Sequence, residues 1–389
     1  MKIRKFISLL LALLLVLSLC ACGEIVKTEP EIERAPDTLI TDLCGREVLV
    51  TPGAYSRVVC IGAGALRMYS YIGDIWLLCG VEDIDNEALA ERPRMFDGTA
   101  RPYVMAFGDV FSALPSCGTG GPNAQSAEAE KILECEPDII LSAYEDADRE
   151  NALQKQTGVP VITLRTGPDG VFDDAFAESL RLLGLLFDKA DRAEELLAFI
   201  ETQANELAAI TGEVKEDEMP RTYIGGLGNW GTTDHRTTAK YYKPFEIAGI
   251  RNVIDVPDSH GVFPLDDEEF LFVGADTDCM ILDAAAVKNI APLYAEDPAL
   301  FDTCRAWRSG MVFLQMAYNA YYTNFEIALA NTWFSASCVY PWLFTDFDMT
   351  AKLDEITTAF LGKPLAEKIF AAPYSYGGYQ QIDVFHFFN

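Results

Sequence analysis

From residue 38 onward the chain alternates short apolar runs with longer stretches in which apolar residues recur every three to four positions. T-L-I-T-D (38–42) and R-V-V-C-I (57–61) precede the helical pattern G-A-G-A-L-R-M-Y-S-Y-I (62–72), and D-I-W-L-L-C-G-V (74–81) supplies another strand. A-E-A-E-K-I-L-E-C (127–135) leads into P-D-I-I-L-S (137–142), and E-N-A-L-Q-K-Q-T (150–157) leads into V-P-V-I-T-L (159–164). Strand and helix in alternation predict an α/β lobe over 37–170. Residues 171–212 differ. F-A-E-S-L-R-L-L-G-L-L-F (176–187) and the Gly- and Pro-free run from Lys189 to Ile210 place apolar residues at i, i+3, i+4 and i+7, which predicts a long helical region. After the charged break G-E-V-K-E-D-E-M-P (212–220), R-T-Y-I, D-C-M-I-L-D, M-V-F-L and N-F-E-I-A-L-A-N-T-W-F form a second strand-helix series, giving another lobe over 213–389. The expected fold is therefore α/β, with two Rossmann-like lobes joined by a long backbone helix. One stiff helix allows only small hinge motion, and the cleft between lobes is the natural place for a ligand.

The start of the chain follows another pattern. Lys2, Arg4 and Lys5 precede an apolar run from Phe6 to Leu17 that closes on L-S-L-C-A-C-G. This reads as a secretory signal over 1–21, since about a dozen apolar residues fall short of the roughly 20 needed to span a bilayer. Leu19-Cys20-Ala21-Cys22 has the form of a lipobox, with Cys22 as the residue that receives diacylglycerol, and Gly23 to Pro36 reads as a flexible tether. The expected location is the extracytoplasmic face of the cell membrane, held by a lipid anchor.

Composition narrows the partners. Half of the residues are hydrophobic, which excludes disorder. A formal net charge of −29 makes nucleic acid an improbable partner. Beyond Cys20 and Cys22 there are eight cysteines with no C-x-x-C pair, so spacing gives no zinc site, and the apolar runs around Cys60 and Cys79 suit free thiols packed as small core residues. The three histidines, His235, His260 and His386, stand apart, which disfavours a dedicated bare zinc or manganese site. No nucleophile-elbow or zinc-protease motif occurs, so no enzyme is expected.

The order of V-V-C-I-G-A-G-A-L-R, G-V-E-D-I-D, E-R-P-R, L-P-S-C-G-T-G-G-P, E-K-I-L-E-C-E-P-D-I-I, T-G-V-P-V-I, S-L-R-L-L-G, Y-I-G-G-L-G, P-F-E-I-A-G-I-R-N-V, Y-T-N-F-E-I-A-L-A and F-L-G-K-P-L along the chain resembles the iron-complex (siderophore, haem, corrinoid) class of ABC substrate-binding proteins. The resemblance covers nearly the whole chain after the leader. It implies a class III periplasmic binding protein that works as a monomer with no cofactor of its own. Such a protein captures a small-molecule metal complex and delivers it to an ABC permease and its ATPase. It also implies docking by one glutamate on each lobe, and Glu130 and Glu269 stand at the matching positions.

Several loops are candidates for ligand contact. Gly62 to Arg67 joins a strand to a helix, so Gly64 and Arg67 either face an anionic group or permit close packing. Thr119 and Gly120 lie in the glycine-rich loop 117–123, which allows close backbone approach. Residues 226–231 fit G-x-G-x-x-G, but the following T-T-D-H-R-T-T lacks the amphipathic helix a dinucleotide site needs, so a ligand-facing loop walled by Trp230 is expected instead. His235 either contacts ligand or is exposed. A-Y-N-A-Y-Y-T-N (317–324) brings Tyr318, Tyr321 and Tyr322 to the cleft edge, where aromatic faces with polar tips suit a chelate. Arg165 and Arg67 are the candidates for a second reading, a molybdate-type oxyanion. A surface sensory or adhesion module is the remaining alternative. The metal ligands, if any, are not legible from spacing.

Overall fold

A computed structural model describes residues 36–121, 127–255 and 260–388. The leader, Cys22 and nearly all of the expected tether lie outside these residues.

The first strand departs from expectation. β1 (Thr38–Thr41) pairs antiparallel with β2 (Glu47–Val50) and does not enter a parallel sheet. A parallel neighbour needs a crossover of a dozen or more residues, whereas here the chain turns back at once. The Asp42 carboxylate accepts the backbone N–H of Cys44 and Arg46, and Gly45 takes the left-handed conformation at φ +82°.

The N-terminal lobe is built on β3 (Val58–Ile61), β4 (Leu78–Glu82), β5 (Ser116–Gly118), β6 (Ile139–Ser142) and β7 (Val161–Thr163), all parallel in the order β5-β4-β3-β6-β7. Every residue of β3, β6 and β7 is buried, as a sheet covered on both faces requires. Helix α1 (Ala65–Ile72) follows β3, and α2 (Ala129–Glu134) leads into β6.

Two helices then connect the lobes. α3 (Asp174–Leu186) is capped by the Asp173 carboxylate on the N–H of Ala175. α4 (Ala190–Thr211) has 22 residues, about 33 Å at 1.5 Å per residue. Its buried positions are Ala193, Leu196, Ile200, Gln203, Leu207 and Thr211, the stripe that the sequence pattern predicts. Near its start Arg192 donates to the carbonyls of Tyr71 and Phe360, and at its end Thr211 lies beside Gly249, so one rigid element touches both lobes.

The C-terminal lobe contains β8 (Thr222–Gly225), the short β9 (Thr237–Thr238) and β10 (Phe263–Pro264), then β11 (Cys279–Asp283), β12 (Val312–Gln315) and β13 (Gln380–Gln381). Its main sheet has the order β13-β12-β11-β8, parallel except for β13. Helix α5 (Asp267–Ala275) leads into β11, and α6 (Phe325–Val339) follows β12. The lobes repeat each other: β3-β6-β7 and β8-β11-β12 share order and direction. The second strand of each is tied to the first in the same way. Asp138 N donates to Arg57 O at 2.9 Å, Asp278 N donates to Arg221 O at 2.8 Å, and each aspartate also accepts the arginine's backbone N–H.

The lobes are bolted together through the segment 320–326. Arg67 is 1% exposed and donates to Thr323 O at 2.8 Å and Ala320 O at 2.9 Å while lying over the Tyr103 ring. Tyr71 donates to the buried Glu326 carboxylate, and Asn324 donates to Ala100 O. Phe176 of α3 stacks on Phe325 of α6 with centroids 4.0 Å apart. All eight cysteines of the described residues are unpaired, and six of them are buried.

Replacing Arg67 with Met should destabilise the protein by about 3 kcal/mol or more, because two buried carbonyls lose their donor and Glu326 loses its nearby cation. Urea unfolding followed by circular dichroism measures this; a loss below about 1 kcal/mol would contradict the clamp.

Candidate ligand-binding cleft

The carboxyl ends of the parallel strands in both lobes deliver their loops to the cleft, the usual place for a ligand in such sheets. Part of that cleft is sealed. Tyr321 donates from its hydroxyl to Glu82 Oε2 at 2.9 Å and accepts the N–H of Gly121 at 3.0 Å. The same Glu82 oxygen accepts Gly62 N–H at 3.1 Å. Around this link Ile84 and Phe96 of one lobe pack on Ala320 and Tyr321 of the other, with Trp230 at the margin. Gly120 is obligatory here, since a Cβ would lie 2.7 Å from that of Glu82. Tyr321 and Tyr322 both adopt the left-handed conformation, at φ +55° and +71°, a strain of order 1–2 kcal/mol per residue that the Arg67 clamp on either side sustains.

Beside the seal lies a cavity of about 270 Å³. Pro168, Asp169 and Gly170 form its N-terminal side, and Tyr241, Tyr242, Lys243, His260, Val262 and Tyr318 form most of the other. Tyr241 stacks on His260 with centroids 4.6 Å apart and planes within 20°. Lys243 Nζ is 3.3 Å from Glu246 and 4.0 Å from Asp169, so the cation stands between the walls. Buried Asp283 holds the tyrosines from behind: it accepts from Gln315 at 3.1 Å, and Gln315 in turn donates to the Tyr242 hydroxyl. Burial pushes Asp283 up to about 7. Among the described residues the wall is largely aromatic and apolar, with Lys243 and Asp169 as its charged groups.

The sequence candidates separate into groups. Tyr318 lines the cavity, while Tyr321 forms the seal and Trp230 packs at its margin against Tyr374. Tyr322 is half-exposed next to Gly64 and Thr166. Thr119 is exposed, with its N–H bound by Glu128. Arg67 does not face a ligand, because both terminal nitrogens of its guanidinium are spent on the carbonyls of 320 and 323. Arg165 is paired with Glu145 at 2.7 Å on the surface. His235 is in the lobe core at 1% exposure, between Phe270 and Phe301, and burial lowers its pKa to about 4. Its neutral ring is core packing, so neither the ligand contact nor the exposed loop position is realised. Glu130 and Glu269 are both exposed, and Glu269 also closes a capping box with Asp266. Sequence reasoning missed Glu82, Asp169, Tyr241, Tyr242, Lys243 and His260. The one available signal was Y-Y-K-P (241–244), an aromatic pair just before a helix start. Among the described residues no cluster of three His, Cys, Asp or Glu side chains could hold a metal ion, and no helix is long and apolar enough to cross a membrane.

Two α/β lobes of equivalent topology and a rigid connecting helix define the fold of the class III periplasmic binding proteins. The family model described as periplasmic binding protein matches residues 113–285. Solved structures agree on the fold. The molybdate-bound periplasmic protein MolA of Haemophilus influenzae is 18% identical, with 84% of this chain and 99% of that one covered and a TM-score of 0.63. A periplasmic solute-binding protein of Veillonella parvula is 14% identical over 87% and 96% of the two chains, at 0.64. The TroA-like protein FepB of the same organism is 17% identical over 84% and 97%, at 0.59. No curated protein sequence matches the chain.

Burial pushes the Glu82 carboxyl up to about 8, against the N–H of Gly62 and the Tyr321 hydroxyl that favour its charged form. From about pH 4.3 to 8 the unfolded chain releases this proton while the native chain keeps it, so the contribution of Glu82 to stability falls as pH rises and levels off above about 8. Glu82→Gln should therefore gain stability relative to the wild type between pH 5 and pH 8 and no more beyond. Paired urea titrations at pH 5, 6.5, 8 and 9 check this; a gap that shrinks with pH would refute it.

Proposed function

We propose that this protein captures a compact iron chelate of the siderophore type in the inter-lobe cavity and presents it to an ABC permease. The observation that carries the reading is the cavity wall, with Tyr242, Tyr318 and the Tyr241–His260 stack around the single cation Lys243. Aromatic faces with polar tips suit the organic shell of a chelate. A volume of about 270 Å³ sits just below the roughly 300–1,000 Å³ of drug-sized ligand pockets, which favours a small chelate over a haem or corrinoid ring.

The second reading is a bare oxyanion, favoured by the fold shared with molybdate-bound MolA. A desolvated oxyanion needs several convergent donors. Here Lys243 is shared with two carboxylates, and Arg67 and Arg165 are engaged elsewhere, which weighs against it.

Native mass spectrometry and absorbance of protein purified from its own host should show a bound coloured chelate. Fluorescence titration with ferric catecholate, hydroxamate and carboxylate complexes should give a dissociation constant that rises about tenfold or more in Tyr241→Ala and in Lys243→Ala. Tight binding of molybdate with no response to any chelate would establish the second reading.

The signal and lipobox place the protein, in this reading, on the extracytoplasmic face through lipidated Cys22. Cys22→Ser should move it from the membrane fraction to the soluble fraction on immunoblots; unchanged membrane retention would remove the anchor.

A further inference from the structure

The parallel strands β11 and β12 end side by side, and their last residues, Asp283 and Gln315, are partners in the ladder register. Both side chains are fully buried. Asp283 Oδ1 accepts the N–H of Ala285 at 2.9 Å, and Oδ2 accepts from Gln315 Nε2 at 3.1 Å and from the N–H of Tyr318 at 3.5 Å. The same Gln315 nitrogen donates to the Tyr242 hydroxyl at 3.3 Å, whereas buried Gln315 Oε1 meets no donor among the described residues. Tyr242 and Tyr318 both line the cavity.

These partners fix a direction. An ionised carboxylate only accepts hydrogen bonds, so the Gln315 amide must turn its nitrogen, and not its oxygen, toward Asp283. That nitrogen also serves Tyr242, whose oxygen therefore accepts, and the Tyr242 O–H hydrogen has no acceptor among the described residues. A buried hydroxyl hydrogen without an acceptor is costly, and an oxygen supplied by a solute in the cavity removes that cost. A neutral Asp283 reverses the arrangement. Its own O–H then donates, the Gln315 amide turns over, and Oε1 accepts from Asp283 and from Tyr242 together. The Tyr242 hydrogen is then spent inside the lobe and no longer reaches a solute.

We infer that Asp283 and Gln315 are positioning residues that hold Tyr242 as a hydrogen-bond donor toward an acceptor oxygen of the bound solute, and that uptake of a proton from solvent by Asp283 withdraws this donor. This rests on the reading that a chelate occupies the cavity, and it adds that the chelate presents a carbonyl or anionic oxygen to Tyr242. Burial pushes Asp283 up to about 7, and its partners Ala285, Gln315 and Tyr318 are all uncharged, so the exchange falls in the neutral range. The other titratable groups around it are the hydroxyls of Tyr242, Tyr318 and Tyr379, which burial pushes far above that range. Lys243, Asp169 and His260 line the cavity itself.

The test titrates the full-length protein with ferric hydroxamate, catecholate and carboxylate complexes by fluorescence quenching. For the tightest-binding complex it follows the ratio of variant to wild-type dissociation constants, in which titration of the complex and of groups other than Asp283 cancels. Asp283→Asn copies the neutral acid, since its side-chain amide donates to Gln315. At pH 8 Asp283→Asn and Tyr242→Phe should each bind about tenfold more weakly than the wild type, and the double variant no more weakly than Tyr242→Phe alone. At pH 6 both ratios should fall to about twofold, because the wild type then carries mostly neutral Asp283. Side chains that only support the fold lower affinity equally at both pH values. Should Asp283→Asn not fold, the Tyr242→Phe ratio at the two pH values decides alone. Equal ratios at pH 6 and pH 8, additive losses in the double variant, or a Tyr242→Phe protein that binds like the wild type each overturn the inference and leave the chelate reading standing. A wild type that binds none of the three complexes overturns both.

Discussion

The arrangement of this protein depends on the buried guanidinium of Arg67. It projects from α1 of the N-terminal lobe into the C-terminal lobe, where it holds two carbonyls of the segment 320–323. A charge so deeply buried is tolerated only with partners on every side. The Tyr103 ring, the two carbonyls and nearby Glu326 supply most of them, and only Nε is left without a hydrogen-bond partner. Tyr103 is itself held by Asp85, which Arg101 neutralises at 2.6 Å. Separating the lobes would expose or orphan each of these groups together, so they move as a unit. This agrees with α4, a continuous helix whose buried stripe leaves little room for a hinge.

The clamp also determines what the cleft can do. Holding 320 and 323 from one side keeps Tyr321 and Tyr322 in left-handed conformations that neither residue favours. Tyr321 is thereby aimed at Glu82 and closes one part of the cleft, which leaves the aromatic cavity near Lys243 beside it. Strain at a site of this kind is stable only where the surroundings over-determine it, and here the surroundings are the lobe interface itself. Recognition would then come from a preformed wall and not from closure of the lobes.

The sequence by itself determined the elements and their order. Apolar runs such as V-V-C-I and C-M-I-L-D have one stable use, as strands covered on both faces, and the stripe from Ala193 to Thr211 can only pack as one side of a long helix. That information is local, carried by periodicities of two and 3.6 residues, and so it was legible along the chain. The hairpin of β1 and β2 was misread because the turn at Asp42–Arg46 outweighed the wider strand-helix rhythm. Partnership between distant side chains was left to the tertiary structure. An arginine in a strand-to-helix turn reads as an anion contact, yet Arg67 meets carbonyls more than 250 positions away. A histidine among polar neighbours reads as exposed, yet Phe270 and Phe301 enclose His235. Tyr241, Tyr242, Lys243 and Asp169 become one wall only when two lobes meet. The reason is that burial and hydrogen-bond satisfaction are properties of the packed whole, and no local pattern states which carbonyl or ring will stand opposite a given side chain.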